Sequence, residues 1–249
     1  MTESQARLWT LDDMRRSLSG VPDRGHRAMT AERLDLPAVE GVRSLEVRWI
    51  FPGQVQAAMA RWFGRFPAAL ELREDAYLLD PHLRGLSVKI RGGGGGPLEV
   101  KVYRGSSGIL DIAGRARGRV ESWQKWSFPR ESSSRGSHGP AGWMLVRKKR
   151  RISMFPPAGG DGRAGLSGLG QEPGCAVELT EIRMDGGAWW TLGFEATGPA
   201  SMLRRELEAA AALVFADAPP GGVEFGAGSS KSYAEWLGLR PDAGTAAGA

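Results

Sequence analysis

Short segments that alternate apolar with charged residues constrain the fold of this chain most, and their charged faces carry both signs. In residues 44–49, Glu46 and Arg48 fall on one face of a strand and the apolar residues on the other, because successive strand side chains point in opposite directions. Residues 86–91 and 98–102 repeat the pattern. Such a face is either solvated on an open sheet or points into a sheet closed on itself. In a closed sheet, the cations could hold a polyanion and the carboxylates a metal ion.

Eight segments have the pattern of strands, and Gly, Pro or Ser clusters separate most of them. These segments are residues 44–51, 75–80, 86–91, 98–104, 119–128, 143–153, 176–183 and 188–196. Spacing and composition predict helices at 55–66, 199–215 and 232–239. The five consecutive glycines at 92–96 lack the Lys and the Ser or Thr of a phosphate-binding loop, so they predict a hairpin connection.

The two ends of the chain differ from its middle. Residues 1–40 show a weak helical signal and no strand-like alternation, so we expect a partly disordered N-terminal extension. Residues 41–240 are expected to form the main domain, and residues 241–249 a disordered tail. Within the domain, the polar stretches 130–142 and 156–174 predict mobile loops.

Charge and composition narrow the classes of partner and the compartment expected for this chain. The 249 residues contain 33 Lys and Arg against 28 Asp and Glu, and the net charge of +5 favours an anionic partner without identifying it. The single cysteine, Cys175, excludes an intramolecular disulfide and fits a reducing compartment. No apolar stretch approaches the roughly 20 residues needed to cross a bilayer, and the N-terminus lacks the pattern of a secretory signal. We therefore expect a cytoplasmic protein without a membrane partner.

The strands offer little for nucleophilic catalysis. The three histidines, His26, His82 and His138, lie in segments typical of loops or termini, so a Ser-His or Cys-His arrangement has little support. Carboxylates and cations on alternating strands instead suit metal-assisted phosphoryl chemistry. Mg²⁺ or Mn²⁺ bridges protein carboxylates to phosphates, and Arg and Lys neutralise the remaining phosphate charge.

Five segments, in order along the chain, match the motifs of one known family. They are Ser44–Arg48, Asp75–Asp80 with Lys89–Arg91, Leu98–Lys101, Gly193–Glu195 and Lys231–Leu237. Together they resemble the CYTH superfamily, the triphosphate tunnel metalloenzymes. No single motif is specific, and the resemblance depends on their order across residues 44–240.

The resemblance implies an α+β fold with a closed or nearly closed eight-stranded antiparallel β-barrel, a tunnel, and flanking helices. It implies that the ligand is a triphosphate-bearing small molecule or inorganic polyphosphate. The phosphate-binding residues would be Arg48, Lys89, Arg91, Lys101 and Lys125. The catalytic carboxylates, which would also bind Mg²⁺ or Mn²⁺, would be Glu46 and Glu195, with Glu178 or Glu181 as an auxiliary metal ligand.

Three departures from the family pattern leave two hypotheses open. Ser44 and Gly193 stand where the family has glutamates, and Arg48 stands where it has lysine. The chain is therefore either a metal-dependent triphosphatase with a depleted metal site, or a non-catalytic module that binds a phosphorylated ligand or an acidic partner. Nucleic-acid binding through the basic run 147–151 is not expected. Such binding would need exposed aromatic residues interleaved with the basic ones, and only Trp143 lies nearby. The run itself is predicted to form a basic outer surface.

Overall fold

The computed structural model describes residues 41–80, 83, 85–129, 142–157 and 173–238. The chain divides into two compact units, Met1–Ala38 and Val39–Ala249, and the first lies outside the described residues. The predictions for the N-terminal extension, the C-terminal tail, the three histidines and most of the two long loops also fall outside the described residues. The domain boundaries drawn from the sequence therefore stay predictions.

Eight antiparallel strands close into a barrel, which confirms the predicted fold class. The strands lie in the order β1-β5-β4-β3-β2-β6-β7-β8, and β8 pairs with β1. The strands are β1 (Val42–Pro52), β2 (Ala69–Leu78), β3 (Leu86–Arg91), β4 (Leu98–Ile112), β5 (Ala116–Phe128), β6 (Trp143–Phe155), β7 (Gly174–Met184) and β8 (Gly187–Thr197). Each predicted strand is found, but β2 begins six residues earlier than the expected 75, and β4 continues to Ile112 through register shifts after Tyr103 and Ser106.

The described residues contain three helices, each shorter than predicted: α1 (Ala57–Phe63), α2 (Leu203–Val214) and α3 (Tyr233–Gly238). The glycine run forms a 3₁₀ turn, Gly92–Gly94, between β3 and β4. Gly92 and Gly93 adopt φ values of 64° and 65°, which favour glycine. Since β3 and β4 pair as antiparallel neighbours, the predicted hairpin connection is confirmed. Among the described residues no helix has the length and apolar character to span a membrane. The cytoplasmic location remains a prediction.

The main apolar core lies outside the barrel. The outward faces of β1, β7 and β8 pack against α2, because alternate residues of these strands are apolar. Trp49 is completely buried there and makes edge contacts with Phe194, Phe215 and Phe225 at centroid distances of 6.2, 6.0 and 5.5 Å. Since these residues supply the apolar core, the barrel interior is available to the charged halves of the strands.

A smaller apolar cluster fills one end of the barrel interior. Residues near the ends of β2, β6 and β7, among them Tyr77, Val146 and Ile182, pack with Leu237 of α3. Tyr233, at the start of α3, stacks at a tilt against Tyr77 with ring centroids 6.1 Å apart. Helix α3 therefore supplies the apolar cover at this end of the charged interior.

Candidate functional site

A polar cavity of about 90 Å³ lies inside the barrel, and charged side chains dominate its lining. Ten cationic side chains face five acidic ones, an excess of five positive charges. The charged faces of the strands therefore point inward.

Eight of the nine site residues predicted from the sequence line this cavity. These are Glu46, Arg48, Lys89, Arg91, Lys101, Lys125, Glu178 and Glu195. The ninth, Glu181, points to the outer face of β7, where its carboxylate lies 3.3 Å from both Lys149 and Arg151. Glu181 and Glu178 are three residues apart on a strand, so they lie on opposite faces. The prediction of Glu181 as a second possible metal ligand in the cavity is therefore wrong.

Seven further charged residues of the lining were not predicted as site residues. They are Arg73, Glu99, Arg119, Glu121, Lys148, Arg150 and Lys231. Lys148 and Arg150 belong to the basic run, whose alternation does split it between two faces. Arg147, 77% exposed, lies outside with Lys149 and Arg151, as the predicted basic surface requires. The other two side chains of the run point into the barrel.

Arg48 and Gly193 form one structural unit. The guanidinium of Arg48 lies 2.5 Å from Glu178, donates a 3.0 Å hydrogen bond to Thr191 and sits 4.6 Å above the Tyr233 ring. Gly193 is its direct neighbour across the β1–β8 pair, and a Cβ atom at Gly193 would lie only 2.7 Å from Cζ of Arg48. The two departures from the family pattern are therefore coupled, because the guanidinium fills the space that a side chain at 193 would need.

Glu178 is held between two arginines. Its carboxylate is 8% exposed and pairs with Arg48 on one side and Arg150 on the other. Burial alone would raise the pKa of Glu178, but the two guanidinium groups hold that pKa well below its usual range. The Glu178 carboxylate is therefore ionised and paired with an arginine on each side.

Lys101 joins the two predicted catalytic carboxylates. Its ammonium pairs with Glu46 and lies 3.6 Å from Glu195. The hydroxyl of Ser44 donates a 2.6 Å hydrogen bond to Glu46. Lys101 holds the pKa of Glu195 down at about 2, against the effect of burial. In turn Glu195 and Glu46 raise the pKa of Lys101, although burial opposes the change.

Lys148 is the most deeply buried of the cavity's cations. It is 4% exposed, lies 3.0 Å from Asp75 and sits 4.7 and 4.4 Å from the ring centres of Tyr77 and Tyr233. Burial lowers the pKa of Lys148 well below that of a free lysine, and nearby Lys89 and Arg73 add to the effect, although Asp75 opposes it. Lys148 is therefore the cation whose charge depends most on what enters the cavity.

A third cluster lies on β3 and β4. Glu99 is 2.9 Å from Lys89 and 2.7 Å from Arg91. Burial would raise the pKa of Glu99, but Lys89 and Arg91 hold it below its usual range. Burial lowers the pKa of Lys89. By contrast, Lys125 on β5 makes no ion pair with any residue in the described ranges.

The three cavity carboxylates predicted as metal ligands already hold cationic groups. Glu46 and Glu195 hold an ammonium group, and Glu178 holds two guanidinium groups. A hard cation needs several oxygen ligands that are free of competing positive charge. No cluster of three or more Asp, Glu, His or Cys side chains in the described ranges is arranged to bind a metal. The predicted Mg²⁺ or Mn²⁺ site would require these ion pairs to be broken.

Comparison with known proteins finds similar solved structures at low sequence identity. No protein-family model and no curated protein sequence matches the chain. Similar solved structures include the PH1819 protein from Pyrococcus horikoshii OT3, with 14% identity over 78% of this chain and 97% of that chain and a TM-score of 0.40.

Two further similar structures are named as triphosphatases. The Mimivirus capping enzyme triphosphatase has 11% identity over 70% of this chain and 90% of its own, with a TM-score of 0.39. The Pct1 RNA triphosphatase of S. pombe has 11% identity over 72% of this chain and 78% of its own, with a TM-score of 0.37. The closed barrel itself confirms the fold that the sequence resemblance implied. The function is therefore inferred from the residues of the cavity alone.

Proposed function

We propose that the barrel cavity binds a triphosphate or polyphosphate group, either on a small molecule or as the inorganic chain. The observation that carries this proposal is the set of ten cationic side chains facing five carboxylates inside one closed barrel. Arg and Lys bind phosphate oxygens through charge-assisted hydrogen bonds, which are roughly twice as strong as neutral ones. Nine of the cations come from the six strands β1 to β6, and Lys231 precedes α3. An extended anion can therefore contact more of them than a single phosphate can.

Binding requires the internal ion pairs to exchange partners. Ion pairs such as Arg48 with Glu178 and Lys89 with Glu99 line the cavity. A phosphate that takes one of these cations must displace a carboxylate, which loses its own partner. A ligand with many charges offsets this cost better than one with few. We therefore expect affinity to rise steeply from phosphate through pyrophosphate to tripolyphosphate.

Binding without turnover is the form of this function that the site supports best. Hydrolysis in such a tunnel would need a divalent cation on Glu46 and Glu195, which polarises the terminal phosphoryl group. Both carboxylates instead hold the Lys101 ammonium. Hydrolysis is the alternative, and phosphate release from tripolyphosphate and nucleoside triphosphates, with Mg²⁺, with Mn²⁺ and with chelator, distinguishes the two.

Two adjacent arginines of β6 provide a matched test of the cavity. Arg150 points inward to Glu178, whereas Arg151 points outward to Glu181. Titration calorimetry with tripolyphosphate should show about tenfold or greater loss of affinity for Arg150→Ala, the effect of losing one charge-assisted contact. Arg151→Ala should bind like the wild type.

The binding proposal would be overturned by equal effects of the two variants, or by a wild type that binds none of the three anions with or without divalent metal. Phosphate release that depends on metal would replace binding alone with hydrolysis.

A further inference from the structure

We infer that the Lys101 ammonium is a built-in cation that replaces a divalent metal ion between Glu46 and Glu195, so that this barrel binds polyphosphate without metal. The inference rests on the proposed function. It departs from the sequence prediction, which placed Mg²⁺ or Mn²⁺ on these same two carboxylates. The register of the strands and the reach of one side chain support it.

Three carboxylates lie side by side on neighbouring strands. Glu46 of β1 is directly opposite Glu195 of β8 on one side and Glu121 of β5 on the other. All three line the cavity. Like charges on directly opposed strand positions repel each other and destabilise a sheet. This row therefore needs a cation held against it.

Lys101 is the side chain that supplies that cation. It extends from β4 across the interior, and its ammonium pairs with Glu46 and approaches Glu195 to 3.6 Å. One positive group thus bridges two carboxylates, which is the position a metal ion would take. The Trp123 ring lies 5.9 Å from the same ammonium and adds a favourable cation–π contact.

The surroundings of the ammonium disfavour a second cation. Ser44, a neutral donor, shares the Oε1 atom of Glu46 with the ammonium, and the Arg48 guanidinium covers the backbone at Gly193. A divalent ion at Glu46 and Glu195 would find two carboxylates, a resident ammonium and a nearby guanidinium. The ammonium cancels one of the two negative charges, so a divalent ion would gain less attraction than at two unpaired carboxylates.

Manganese binding tests the inference without any enzyme assay. Free Mn²⁺ has an electron paramagnetic resonance signal that is lost on binding, so titration of the protein measures affinity directly. Lys101→Met removes the ammonium, and we expect it to bind Mn²⁺ at least about tenfold more tightly than the wild type, because one unit of repulsion is removed at short range. Adding Glu46→Gln to Lys101→Met should abolish the gain.

Lys149→Met is the matched control. Lys149 lies on the outer face of β6, where it pairs with Glu181 and does not line the cavity. Its removal changes the net charge equally and should leave Mn²⁺ affinity within about threefold of the wild type. An equal gain in both lysine variants would overturn the bridging role, since it would reflect overall charge alone.

Two measurements on the wild type do not depend on a folded variant. The wild type should bind Mn²⁺ weakly, and its affinity for tripolyphosphate should be the same in buffer with chelator as in buffer without added metal. Wild-type Mn²⁺ binding as tight as that of Lys101→Met, or polyphosphate binding that disappears with chelator, would overturn the inference. Absence of polyphosphate binding under every condition would instead refute the proposed function and leave the Mn²⁺ comparison in place.

Discussion

Replacing Glu178 by glutamine should destabilise the free protein and strengthen ligand binding. The carboxylate is the shared partner of two buried guanidinium groups, Arg48 and Arg150. Glutamine keeps the size of the side chain and removes its charge. Arg48 then loses its carboxylate partner and Arg150 keeps only Glu71, and an incoming phosphate no longer has to displace the Glu178 carboxylate.

The magnitudes follow from burial. The side chains of Arg48 and Arg150 are 10% and 16% exposed, so solvent screens the change only weakly. Removing one partner of a buried ion pair costs about 3–5 kcal/mol. Because glutamine can still accept a hydrogen bond, we expect about 3 kcal/mol, or a fall in melting temperature of about 6–12 °C for a domain of this size.

Binding should change in the opposite direction. The variant gains one unit of positive charge within a few ångströms of the ligand, and no Glu178 carboxylate has to be displaced. An effect of about 1–3 kcal/mol is reasonable for one charge at short range in a partly screened site, which corresponds to roughly tenfold to hundredfold tighter binding of tripolyphosphate. Thermal melts and calorimetry, each with and without tripolyphosphate, measure both quantities.

Glu181→Gln is the control, because Glu181 lies on the same strand and pairs with Lys149 and Arg151 on the outer face. Exposed pairs contribute about 0–1 kcal/mol, so this variant should melt and bind nearly as the wild type does. If Glu178→Gln melts like the wild type, the ion-pair argument fails. If it binds tripolyphosphate more weakly, Glu178 supports the ligand and does not compete with it.

Two further perturbations test single features of the cavity. Because burial lowers the pKa of Lys148 below the ordinary 10.5, binding of tripolyphosphate should drive proton uptake, and affinity should fall as the pH rises through this lowered pKa. Calorimetry in buffers of different ionisation enthalpy measures the uptake, and Lys148→Met should reduce it. A wild type that takes up no proton would contradict this prediction. Gly193→Ala should lower the melting temperature by pushing on the Arg48 guanidinium, and the same change in an Arg48→Ala background should cost less; equal costs in both backgrounds would show that the two positions are not coupled.

The sequence predicts the barrel well because alternation is a local property. Every strand was located, but the first half of β2 was missed. Its residues Ala69–Glu74 alternate, yet they are nearly all strong helix formers and follow a predicted helix. Leu70 and Leu72 are also exposed on the outer face, so the usual association of leucine with burial gives no help there.

The direction of the charged faces could not be read from the sequence. A charged face looks the same whether it is solvated or points inward, and only the closure of β8 onto β1 distinguishes these cases. The run at 147–151 is harder still, because consecutive charges contain no apolar residue to mark the inner face. Lys148 and Arg150 were therefore missed as site residues, although the sequence did predict that the run divides.

The location of the apolar core explains how a barrel can hold so many charges. Trp49, Phe215 and the residues of α2 provide apolar burial on the outside, so the interior does not have to supply it. Cations such as Arg48 and Arg150 are already desolvated and positioned by their carboxylate partners before a ligand arrives. Binding therefore exchanges one set of anionic partners for another, and the cost of desolvating the cations falls on folding. A site built this way discriminates by charge number, because only an anion that replaces several carboxylates at once offsets the pairs it breaks.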